Sequence, residues 1–175
     1  MKSLNIKLGG ESKAKTLKES GRYTAVISQI VDVGLQPGFD ARAPQDSIAI
    51  VFRVNGGYDV VKKVTLSSHE LSALMEIVRA VGLKSEEGGQ DPHLADLIGK
   101  PLAVEVVLQG TFPKVTQVSP IESFDDLVEP FEPSANCFIE QIEDHLSGPN
   151  AKAFVMGLHA DVRRLLANRI RNRED

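Results

Sequence analysis

Tryptophan is absent from the 175 residues, aromatic side chains make up only 5%, and there is a single cysteine, Cys137. One cysteine cannot form an internal disulfide or a thiolate zinc site, and the default compartment is a reducing one, the cytoplasm. No apolar run approaches the roughly 18 residues of a membrane span, so no membrane association is expected. The opening MKSLNIKLGGESKAK has no apolar stretch of the kind that directs secretion.

Motifs that carry chemistry are missing as well. There is no Gly-x-Gly-x-x-Gly, and Gly99-Lys100 runs into Pro101 without the upstream glycine of a phosphate loop. There is no Gly-x-Ser-x-Gly elbow. His69, His93, His145 and His159 are scattered, and His69-Glu70 is not followed by a second histidine at zinc spacing. The expectation is a protein with no catalytic residues, no metal and no cofactor.

The net charge of −4 conceals a segregation. Residues 1–20 carry five Lys against two Glu, and residues 21–121 nine basic against eleven acidic side chains. Residues 122–146 carry eight acidic side chains and no Lys or Arg, whereas residues 147–175 carry six basic against three acidic. With the Pro and Gly positions, this divides the chain into a flexible basic arm (1–20), a β domain (21–121), an acidic linker (122–135) and a C-terminal helical extension (136–175).

The β domain is read from its periods. Tyr23, Ala25 and Ile27 alternate with small or polar neighbours, and the run continues to Val33, where Gly34 marks a bulge or an end. Ile48, Ile50, Phe52 and Val54 alternate with Ala49, Val51 and Arg53. Asn55-Gly56-Gly57 is a tight-turn signal, and Tyr58–Leu66 returns. The period then becomes helical. Ser67 and Glu70 fit a capping box for a helix over 68–81 with Leu71, Leu74, Met75, Val78 and Val81 on one face and Arg79 exposed. Asp91-Pro92 opens a shorter helix. Leu102–Leu108 and Phe112–Val118 form the last hairpin. Three strands, a helix and a hairpin predict a mainly β fold: a five-stranded barrel of the oligonucleotide/oligosaccharide-binding (OB) type, with C-terminal helices added. The main competitor is a split sheet with helices on one face.

Beyond the barrel, helical spacing predicts one helix over 136–146, with Phe138, Ile139, Ile142 and Leu146 apolar, and a longer one over 151–173. The latter carries Val155, Leu158, Val162, Leu165 and Leu166 as its stripe, and arginines crowd its last turns.

Binding a single strand needs cations for phosphates and aromatic faces for bases. An OB barrel presents them on strands two and three and on the loops after strands one and four. The candidates are Phe39 and Arg42 in the first loop, Arg53 on the second strand, Tyr58 after the turn, Lys62 and Lys63 on the third strand, and Phe112 and Lys114 at the start of the fifth. Tyr58 and Phe112 have a competing role as caps on the barrel ends. Lys62 and Lys63 point to opposite faces, so only one shares a face with Arg53.

GRYTAVISQIVDVG, DSIAIVFRVNGGYDVVKKVTLS, the helix ending VRAVGL, and DLIGKPLAVEVVLQGTFPKVTQVSPI together resemble small phage and prophage-encoded single-stranded-DNA-binding proteins of the OB class. The resemblance covers residues 21–121. It implies non-catalytic binding of single-stranded DNA in replication or recombination, in the host cytoplasm, with replication or recombination proteins as further partners. A second, partial likeness joins Asp125-Asp126-Leu127-Val128-Glu129-Pro130-Phe131 to the acidic, Phe-ending tails of such proteins. Here the segment is internal, so docking through a free terminal carboxylate does not carry over. The alternative is an assembly module, in which the barrel is a scaffold and the stripe of Val155, Leu158, Val162, Leu165 and Leu166 makes a homo-oligomer or partner contact.

Overall fold

The computed structural model describes residues 17–38, 42–67, 69–83, 93–122, 131–133, 136–140 and 142–170. The chain is mainly β. Its strands are β1 (Gly21–Gln36), β2 (Gln45–Val54), β3 (Tyr58–Thr65), β4 (Pro101–Gln109), β5 (Phe112–Ser119) and the short β6 (Phe138–Ile139). The helices are α1 (Ala73–Ala80), α2 (Ile142–Leu146), α3 (Ala151–Met156) and α4 (Ala160–Asn168), with a single 3-10 turn at Leu94–Leu97. No helix among the described residues is long and apolar enough to cross a membrane.

The sheet order is β3-β2-β1-β4-β5, and every pairing along it is antiparallel. Its length lets β1 serve two partners. Gly21–Val26 pairs with β4, while Ala25–Gln36 pairs with β2. Two irregularities bend it, one between Ile27 and Gln29 and one between Asp32 and Gly34. At the first, the buried Ser28 hydroxyl donates to the Val51 carbonyl at 3.1 Å. At the second, Gly34 takes a φ of +70°, and its N–H donates to Asp32 Oδ1 at 2.8 Å. Gly34 is therefore a bulge inside the strand and not its end. Where β4 leaves β1, β6 takes its place as a parallel partner of Ile30 and Val31. The Asn55-Gly56-Gly57 turn forms as expected, with both glycines at positive φ.

The sheet curls until β3 and β5 lie side by side, where Lys62 Nζ donates to the Val115 carbonyl at 3.0 Å. No hydrogen-bonded ladder joins these strands among the described residues, so the sheet is not closed. The inner core is filled by Ile27, Ile30, Ile50, Phe52, Leu102 and Val104. Leu74, Ile77 and Ala80 of α1 complete it beside β3 and β5.

Helix α1 begins later than the capping-box reading placed it. Its cap is Ser72, whose Oγ accepts from Met75 N at 3.2 Å. Ser67 instead accepts from His69 N and ties a turn. Leu71 is left 81% exposed, so the buried face runs through Leu74, Ile77 and Ala80. Arg79 is exposed as expected. The residues that would open a helix at Asp91-Pro92 lie outside the described ones.

A second core lies on the other side of the sheet. Val31, Val33, Ala49, Val51 and Val61 are buried there against Ile139, Ile142, Leu158, Val162 and Leu166. Each Val, Leu or Ile side chain among them, taken from water, contributes about 1.5–3 kcal/mol. This packing corrects both C-terminal helix expectations. Phe138 and Ile139 are strand, because the unpaired edge of β1 recruits them, and among the described residues of that stretch Ile142–Leu146 alone is helical. The predicted helix over 151–173 is broken between Met156 and Ala160, where His159 Nδ1 accepts from Asp161 N and caps a new helix. The break lets Leu158, Val162 and Leu166 meet the sheet. Val155 is only half-buried and stays out of this core, and Phe154 packs against it in its place.

Two polar latches hold α4. The buried Gln36 donates from Nε2 to the carbonyls of Val33 and Leu165, both at 2.8 Å, and Ile170 N donates to the Leu35 carbonyl at 2.7 Å. The stripe, expected to pack either on the chain's own barrel or on a second chain, is thus largely spent on its own sheet. Residues 17–20, expected in the flexible basic arm, are docked on the β domain, and the rest of that arm lies outside the described residues. Leu17 is buried in the inner core, and Ser20 Oγ accepts from Leu108 N at 2.9 Å.

Candidate nucleic-acid interface

Register determines which strand residues share a face. Arg53 pairs with Asp59, Val51 with Val61, and Ala49 with Lys63. Lys63 is therefore the lysine on Arg53's face, and Lys62, opposite Ile50, is on the inner one. On the neighbouring hairpin Lys114 pairs with Val107 and Phe112 with Gln109.

Four of the eight predicted residues converge. Lys62, Lys63, Phe112 and Lys114 line a cleft of about 300 Å³ beside the β3–β5 seam. Its far wall is α4, which contributes Asp161, Arg164 and Leu165. The Arg164 guanidinium lies over the Phe112 ring, 4.9 Å from its centroid, and pairs with Asp161 at 3.0 Å. The cleft as a whole is thus lined by four cations, one carboxylate and one aromatic ring. Lys62 is half-buried, and burial pushes its ammonium below the usual lysine range. Lys114 pushes it the same way, and Glu76 opposes. A nearby anion would oppose that shift, because an opposite charge favours the protonated form.

The other candidates lie elsewhere. Arg53 is roughly 13 Å along the strand from Lys63, at four residues of about 3.3 Å each. Its guanidinium holds Asp59 with two hydrogen bonds, at 3.1 and 3.4 Å, and these raise its already high pKa. The Phe131 ring covers it at 5.9 Å. Tyr58 is partly buried and packs against the inner core. Arg42 is exposed in the loop after β1, and Phe39 lies outside the described residues.

The outer surface of β2 and β3, where the OB reading places a strand, is the surface that Leu158, Val162 and Leu166 cover. Sequence reasoning missed Arg164, treating it as one of several arginines near a helix end. The usable signal was its place beside Leu165: a residue flanking a docked stripe stands at the rim of whatever the stripe covers.

Comparison of the chain with protein-family models gave no match, and comparison with curated proteins gave none.

Proposed function

We propose that this protein binds single-stranded DNA without catalysis, and that the strand runs through the cleft between β3, β5 and α4. The observation that carries the reading is that Lys62, Lys63, Lys114 and Arg164 line one cleft with Phe112, over whose ring the Arg164 guanidinium lies. Phosphates need cations, bases need an aromatic face, and both are present within one concave site. The same reading takes the curled sheet as an OB-type barrel whose β3–β5 seam is bridged by side chains such as Lys62 in place of a ladder. The resemblance of residues 21–121 to phage single-stranded-DNA-binding proteins supports both statements, as well as a role in replication or recombination in a host cytoplasm.

The test is a fluorescence-anisotropy titration with an unstructured oligonucleotide of about 30 nucleotides at two salt concentrations. Binding that weakens with salt, with a slope near −0.7 per phosphate contacted, is the expected result. No binding at low salt overturns the proposal.

A further inference from the structure

We propose that Arg164 and Phe112 form a two-sided clamp that takes one base of the strand between them, with the neighbouring phosphates on Lys63 and Lys114. This rests on the strand-binding reading of the cleft and adds a residue and a mode of contact to it.

In the free protein the guanidinium already occupies the ring face. A planar, weakly hydrated cation stacks on an aromatic face much as a base does. It therefore keeps that face covered until a base arrives, and it can stack on the base's other side afterwards. Three features allow the exchange. The Arg164 side chain is 55% exposed. Its one ion pair among the described residues is with Asp161, three residues back on the same helix, a type of surface contact that gives way readily. The backbone under it is fixed independently, through Gln36 to Leu165 and through Ile170 to Leu35. Arg164 thus moves as a side chain on a rigid mount, while Asp161 keeps its place at the start of α4, its N–H bonded to His159. Admitting a base requires the guanidinium to retreat by about 3.5 Å, one stacking distance, which is within reach of its stem. A cleft of about 300 Å³ is at the small end of ligand sites and suits one base. Duplex DNA keeps its bases stacked inside and offers none to such a clamp.

The experiment uses the full-length protein and a short oligonucleotide with a single 2-aminopurine, whose fluorescence rises when the base leaves its neighbours' stack. Wild type should bind with a clear rise. Arg164→Ala should lose about tenfold in affinity, the size of one stacking contact, and most of the rise. Arg164→Lys keeps the charge but not the plane, so it should keep the salt dependence and still lose the rise. If Arg164→Lys gives the wild-type rise, or if Arg164→Ala changes only the salt slope, the clamp is wrong and Arg164 is a phosphate contact. If wild type itself does not bind, the strand-binding reading falls and the clamp falls with it. Circular dichroism of both variants verifies that the fold is intact.

Discussion

The outer surface of the sheet is treated in two ways. On β1, β2 and β3 it carries Val31, Val33, Ala49, Val51 and Val61, and the C-terminal segment buries them. On β4 and β5 it carries Glu105, Val107, Thr116 and Gln117, and these are exposed. The difference teaches where function has room. The stretch covered on both faces is apolar at every position, as the run Ile48-Ala49-Ile50-Val51-Phe52 is, and it holds none of the cations a polyanion needs. The cations collect instead at the border between the halves, where α4 meets the ends of β3 and β5.

The largest effect that would break this comparison is on stability. Leu166→Ala removes an outer-core side chain that is only 3% exposed, and it should cost about 2–5 kcal/mol, as an inner-core deletion would. A denaturant melt checks it. A cost under about 1 kcal/mol would mean that the helices rest on the sheet without being part of its core.

Next in size is the charge contrast between the cleft and the covered face. Lys63→Ala combined with Lys114→Ala should flatten the salt dependence of DNA binding by about 0.7 per phosphate lost. Arg53→Ala should change it far less, because Asp59 already neutralises that guanidinium. Equal effects of the two in parallel titrations would place the strand back over β2 and β3.

The smallest effect is a pH dependence at the edge of the covered half. Burial lifts the Asp32 carboxyl above its ordinary 3.8, Asp46, Glu140 and Glu143 add to the lift, and the Gly34 N–H opposes it. A raised carboxyl stabilises the fold fully below its ordinary pKa and loses that contribution as pH rises through the folded value. Asp32→Asn should therefore be more stable than wild type at neutral pH and approach it as pH falls below 3.8. Thermal melts across that range that show no convergence would mean the carboxylate is not under this strain.

Much of the β domain was legible because its signals are local. Alternation located β1 to β5, and two glycines made the first hairpin turn. The helices misled for identifiable reasons. Ser67 and Ser72 are both competent caps, and only packing against the inner core selects Ser72. Phe138 and Ile139 suit a helix or a strand equally, and the unpaired edge of β1, distant in sequence, decides. The apolar Ala49 and Val51 were visible on the supposed outer face, and they were the sign that something covers it. Of the site, Lys63, Phe112 and Lys114 could be placed from strand parity, whereas Arg164 depends on the angle at which α4 docks, which no local pattern encodes.

The most direct test of the central claim is an amide chemical-shift titration of the labelled protein with an oligothymidine. The account predicts that perturbations concentrate at Val61–Lys63, Gln109–Val115 and Asp161–Leu165, with the covered amides of Ala49 and Val51 unmoved. Perturbations centred on Ala49, Val51, Arg53 and Tyr58, with α4 released from the sheet, would contradict it.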